Sequence, residues 1–182
     1  MKSIYKFIAL FFALLTLSLT GCSSDEKEKD SATGLNSVGS LSDADVKACF
    51  DAVNAFRTGS EAFYTNADNS TKTFLVGQLS ALAFDEKLAQ AAKIRAEEIS
   101  SSFEHTRPDG TSCFTVLKQV GATYGTCGEN IAAGYRTGSA VFTGWKEDNK
   151  DYSGQGHRRN MLGKNFTKIG IADFDKKGSN YG

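Results

Sequence analysis

"FDEKLAQAAKIRAEEISSSFEHTRPDG", residues 84–110, runs an amphipathic helix into a polar turn that holds one of the chain's two histidines and its only proline. Asp85 stands where an N-cap is expected. Leu88, Ala92, Ala96, Ile99 and Phe103 then recur at spacings of three and four, the period of a helix with one buried face. Lys93 and Glu97 sit a turn apart on the outer side, suitably spaced to pair. Just beyond the helix, His105 enters a segment in which Pro108 fixes φ and Gly110 permits a positive one. An imidazole delivered into such a loop is placed for ligand or proton chemistry rather than for packing.

The rest of the chain supplies the layers this helix needs. "LSDADVKACFDAVNAFRTG", residues 41–59, predicts a helix capped by Ser42, with Val46, Cys49, Phe50, Val53 and Phe56 on one stripe. Residues 60–72 are polar and turn-rich, and 74–82 are apolar without a clear period. Downstream, the pattern predicts a short helix over 112–120, a strand at 122–124, a strand at Ile131–Ala133 and a helix over 139–149 containing Val141, Phe142 and Trp145. Residues 166–174 alternate as a strand should. Helices segregated from a few short, mostly non-consecutive strands predict an α+β domain with helices packed on a small sheet.

Lys2 and Lys6 precede an apolar run from Phe7 to Leu19, too short to span a bilayer comfortably, and this reads as an export signal. It ends in "LTGC", residues 19–22, which resembles the lipobox of bacterial lipoproteins. That resemblance implies a signal peptide over 1–21, lipidation of Cys22 and a protein held by its lipid on the bacterial cell envelope, outside the cytoplasm. A single acyl chain anchors weakly, at about 0.8 kcal/mol per buried methylene, so a diacylglyceryl cysteine is the form implied. Residues 22–40, rich in Ser, Gly and mixed charge, read as a flexible tether, leaving 41–182 as one domain. The formal net charge is zero, which argues against nucleic acid as a partner. With Cys22 set aside, an oxidising compartment favours a Cys113–Cys127 disulfide, whose loop of about 15 residues would contribute about 3 kcal/mol. Cys49 reads as a buried free thiol.

The residues suited to chemistry are His105, Glu129 in "CGENIA", Glu147 and Asp148 after Trp145, and His157 in "GQGHRRNML". Two imidazoles and one or two carboxylates suit zinc or another borderline divalent ion. No HxxxH or CxxC spacing places two of them on one helix face, so the pattern alone is weak. A purely structural hydrogen-bonded pair of His157 with Glu129 is the competing reading.

Taken in order, "LAFDEKLAQAAKIRAEEISSSFEHTRPDG", "GENIAAG" and "GQGHRRNML…NFTKIGIADF" resemble the bacterial branch of the CAP superfamily, the cysteine-rich secretory and pathogenesis-related proteins. The resemblance implies a three-layer α-β-α sandwich with a groove lined by two histidines and two acids. Matching motif to motif, these are His105, Glu129 and His157, with His105 and His157 as metal ligands. The fourth is an acid three residues after the tryptophan, Asp148 here, with Glu147 beside it as the alternative. Relatives continue past a glycine-rich turn into a last strand, so the domain is expected to be incomplete at its C-terminus. The groove is expected to take a divalent metal, zinc among them, or a lipid, peptide or other small ligand. Two alternatives stand beside this binding role: a metal-assisted peptidase or esterase with Glu129 as general base, and a structural or adhesive surface domain.

Overall fold

The structure, a computed structural model, describes residues 4–14, 40–148 and 151–177. Cys22 and nearly all of the expected tether lie outside the described residues. The elements, in order, are β1 (Ile4–Leu14), α1 (Ala44–Thr58), β2 (Phe63–Thr65), β3 (Lys72–Phe74), β4 (Ala83–Phe84), α2 (Glu86–Ile99), α3 (Thr115–Gln119), β5 (Thr126–Tyr135), α4 (Gly138–Lys146), α5 (Gly156–Met161) and β6 (Lys168–Lys177). Four strands form the main sheet in the order β4-β6-β1-β5, and β2 pairs with β3 in a separate hairpin. β1 is antiparallel to both neighbours, so that Phe11 stands between Glu129 of β5 and Gly170 of β6.

Successive residues of β1 face opposite layers. Ile8, Leu10 and Phe12 join Val46, Cys49, Val53 and Phe56 of α1, together with Trp145 of α4 and Met161 of α5. Phe7, Ala9, Phe11 and Ala13 join Leu88, Ala92, Ala96 and Ile99 of α2, with Val116 and Leu117 of α3. The sheet is thus sandwiched between two helical layers, the α+β, α-β-α architecture expected from the sequence.

The central strand is the largest difference from the sequence reading. The apolar run taken for an export signal supplies β1, and its residues 7–13 are at most 1% exposed. The physical reason is composition: a strand buried on both faces is a near-continuous apolar run, and so is the core of a signal peptide. Lys6 fixes the register at the outer end. Its Nζ lies 2.6 Å from Asp173, 3.1 Å from Asp45 and 3.5 Å from Asp175. Burial pulls this ammonium down, but the Asp173 hydrogen bond and the surrounding carboxylates outweigh burial and raise it above the usual lysine range. Among the described residues, no helix is long and apolar enough to cross a membrane.

Smaller differences have local causes. Asp43, not Ser42, caps α1, its Oδ1 accepting from the N–H groups of Asp45 and Val46 at 2.9 and 3.0 Å. Residues 122–124 are not a strand, and β5 starts at Thr126. α4 stops at Lys146 because Glu147 adopts the left-handed conformation, φ 54°. Lys93 donates to the Asp173 carbonyl at 2.8 Å rather than pairing with Glu97. The expected Cys113–Cys127 disulfide is absent, and both thiols are free. The Cys113 sulfur lies within 4.8 Å of ligand atoms of Glu129 and His105.

α2 lies directly on the backbone of β6. A Cβ at Gly170 would fall 2.1 Å from the Leu88 carbonyl carbon and 2.2 Å from the Ala89 nitrogen, which no rotamer can relieve. Gly170→Ala is expected to lift α2 from the sheet and destabilise the domain by about 1–3 kcal/mol or more. The urea midpoint would read this, and an unchanged midpoint would mean that the helix–sheet contact is looser than described.

Candidate functional site

Glu129 lies in the middle of β5, beside buried Phe11, and its side chain is 1% exposed. A carboxylate there needs a cation. Arg95, fully buried on the sheet-facing side of α2, donates from Nε to Glu129 Oε1 at 2.8 Å. Its other nitrogens reach Glu98 Oε2 at 2.6 Å and the Glu104 carbonyl at 2.7 Å. Arg107, expected as a turn residue, extends this chain by donating to Glu98 Oε1 from Nη2 at 2.6 Å and from Nε at 3.0 Å. The segment after α2 is pinned at both ends, and the turn at Gly110, φ 81°, closes on the Arg107 carbonyl at 2.9 Å. His105 is thereby set with Nδ1 2.7 Å from Glu129 Oε2.

Burial opposes ionisation of Glu98, but the hydrogen bonds from Arg107 and Arg95 outweigh it and hold its carboxyl below the ordinary 4.5. Asp85, which caps α2 and accepts from Lys168 at 2.8 Å, is likewise held below 3.8 despite partial burial. Groups depressed in the folded state stabilise it fully above their unfolded values and lose that contribution as pH falls through the folded ones. Unfolding free energy is therefore expected to decline as pH drops below about 4.5. In Glu98→Gln part of that decline should vanish. An acid limb identical to that of the parent would remove Glu98 from the account.

The second histidine is held in the same manner. α5 docks on β5 through reciprocal amides: Asn130 donates to the His157 carbonyl at 3.1 Å, while Asn160 donates to the Glu129 carbonyl at 3.1 Å and to Asn130 Oδ1 at 3.0 Å. From α4, Trp145 Nε1 donates to the Ile131 carbonyl at 3.1 Å. Arg57, 1% exposed, braces the end of α5 by donating to the carbonyls of Met161 and Gly163 at 2.6 and 3.1 Å, and burial pushes its guanidinium down to about 10. Against this frame His157 Nδ1 lies 2.7 Å from Glu147 Oε1. Glu147 is 3% exposed and left-handed, an uncommon conformation for a non-glycine residue.

Both imidazoles open onto one groove of about 780 Å³, together with Phe103, Ile131, Tyr135 and Trp145. A carboxylate can only accept, so each Nδ1 carries the proton and each Nε2 is the nitrogen left for a ligand. His105 and His157 keep 58% and 35% of their side-chain surface. Asp148 takes no part in this arrangement. It pairs with Arg158, and with Lys146 at 2.9 Å, and the acid that holds His157 is its neighbour Glu147. Nor does Glu129 pair with His157, since its two oxygens go to Arg95 and His105.

The model of the cysteine-rich secretory protein family (CAP) matches residues 50–181. The chain belongs to that family. It is 36% identical over 95 residues to an uncharacterized protein, YkwD, of Bacillus subtilis (strain 168), a match covering 51% of this chain and 35% of the relative. The chain thus spans about a third of that protein's length. No solved structure matches it.

Within this CAP domain, the sequence reading missed Arg95 and Glu98. Arg95 did leave a signal, because it lies seven residues after Leu88 and four before Ile99, inside the apolar stripe of α2. An arginine in that position must find a buried carboxylate. Cys113 of the CAP domain is also buried beside the site, and burial, with the charge of Glu129, pushes its thiol up to about 12. It is a neutral thiol at physiological pH and no nucleophile.

Proposed function

We propose that the groove binds a divalent metal through His105 Nε2 and His157 Nε2, and with it a ligand that occupies the remaining coordination positions. The observation that carries this reading is the pair of buried carboxylates at 2.7 Å from the two Nδ1 atoms. Carboxylate–histidine pairs of this kind fix ring orientation and tautomer for metal ligation. Two neutral imidazoles suit zinc and other borderline ions. Beside them the apolar stretch Ile131–Ala133 and the exposed Tyr152 offer a surface for the hydrocarbon part of a lipid or peptide ligand.

Turnover by Glu129 is the weaker alternative. A general base needs a free oxygen within reach of the water it activates. Both Glu129 oxygens are already hydrogen-bonded, one to a buried guanidinium. Binding without hydrolysis is therefore the reading the geometry favours.

Zinc calorimetry tests it. Glu147→Gln should weaken zinc by about 10–100-fold, the usual effect of losing a ligand's orienting partner. Asp148→Asn should leave affinity unchanged. Equal effects of the two variants, or none from Glu147→Gln, would contradict the assignment.

Attachment to the cell envelope through an acylated Cys22 belongs to the same proposal and rests on the "LTGC" stretch. It makes a demand on the fold, because cleavage before Cys22 removes β1 and the slot between β5 and β6 must then be filled by another strand. Mass analysis of the membrane fraction would find a mature N-terminus at a lipid-modified Cys22. An intact N-terminus in the soluble fraction would reject the anchor.

A further inference from the structure

On the side of His105 turned away from the free Nε2, a third donor type comes into reach. One ligand atom from each of His105, Cys113 and Glu129 lies within 4.8 Å of the other two. Cys113 and Glu129 are each 5% exposed. His105 Nδ1 is the ring nitrogen facing this cluster, being 2.7 Å from Glu129 Oε2.

We infer that His105, Cys113 and Glu129 form a second cation site, which shares His105 with the groove pair but uses its other ring nitrogen, and which takes a thiophilic divalent ion such as zinc. Ligands at about 2.0–2.3 Å around a tetrahedral ion stand roughly 3.3–3.8 Å apart. The cluster therefore has to shift by only a fraction of its present spacing. The partly exposed His105 ring supplies that movement. Binding displaces one hydrogen: the thiol proton leaves as the metal–sulfur bond forms, while the His105 proton passes from Nδ1 to Nε2 so that the neutral ring ligates through Nδ1 beside Glu129 Oε2. The cation adds two positive charges as one proton departs, so the formal charge of the cluster rises by one, from −1 to zero. Glu129 Oε1 keeps its hydrogen bond from Arg95, which orients the carboxylate from behind in the manner of outer partners at metal sites. A thiolate ligand separates this site from one of oxygen and nitrogen alone, since sulfur disfavours magnesium and calcium.

This inference does not depend on the groove reading, and cobalt(II) distinguishes the two. Cobalt is titrated into the full chain carrying Cys22→Ser and Cys127→Ser, so that Cys49 and Cys113 are the remaining thiols. The expected result is a near-ultraviolet sulfur-to-cobalt charge-transfer band that persists in His157→Ala and disappears in Cys113→Ser. It should also disappear in His105→Ala, whose exposed ring can be removed without disturbing the core, which keeps the test sound if Cys113→Ser fails to fold. Cobalt bound without that band, but lost in His157→Ala, would overturn the thiol site and leave the groove pair standing. A band that survives Cys113→Ser comes from another thiol and overturns the inference too, as does the absence of any cobalt binding, which would sink both readings.

Discussion

Residues 22–182 with no strand in the place of β1 should lose cooperative unfolding, or unfold at a far lower urea concentration than the chain with residues 1–21. The expectation follows from where β1 sits. Phe7, Ile8, Leu10, Phe11 and Phe12 are at most 1% exposed and contribute to both helical layers. Burying each is worth about 1.5–3 kcal/mol, and together they rival the whole stability of a typical domain, about 5–15 kcal/mol. Without β1 the facing edges of β5 and β6 also lose their hydrogen-bonding partners. A synthetic peptide of residues 4–14 added to the shortened chain should restore much of the transition. A midpoint equal to that of the longer chain, with no peptide added, would mean that another segment fills the slot and that β1 is dispensable.

Glu129→Ala is expected to be the most damaging single substitution in the site, costing about 3–5 kcal/mol. The cost arises less from the carboxylate removed than from the fully buried Arg95 left without its Nε acceptor. Glu129→Gln keeps an oxygen for Arg95 and should cost much less. The two variants should nonetheless agree in releasing His105, because an amide oxygen binds its Nδ1–H more weakly than a carboxylate does. Urea unfolding gives the stability difference. A Glu129→Ala loss below about 1 kcal/mol, the level of an exposed ion pair, would show that Arg95 and Glu129 are not the buried unit described.

How far the sequence could be read depended on whether the information was local. The period of α2 and its Asp85 cap were legible because helix signals lie within a few residues of one another. The ordered motifs around His105, Glu129 and His157 identified the residues that the fold gathers near one groove. Choosing Glu147 over Asp148 was beyond the sequence, since the choice turns on the left-handed backbone at Glu147, which ends α4 and swings that side chain toward α5. The hairpin of β2 and β3 was hidden in a polar stretch, three residues to a strand being too few to display a period. The strand made by the apolar run that starts at Phe7 was not legible for a different reason. Its composition satisfies two structures equally, and the contacts that decide between them come from β5 and β6, more than a hundred residues away.

The central claim is that two imidazoles share one groove, each turned by its own buried carboxylate so that Nε2 is free. With two histidines in the chain, long-range proton–nitrogen correlation spectra can follow both rings at once. Both neutral rings should carry their proton on Nδ1, and in Cys113→Ser, which lacks the thiol ligand, zinc should shift both Nε2 signals at the same stoichiometry. A proton on Nε2 of either ring, or zinc moving the Nε2 signal of one ring while the other stays still, would contradict it.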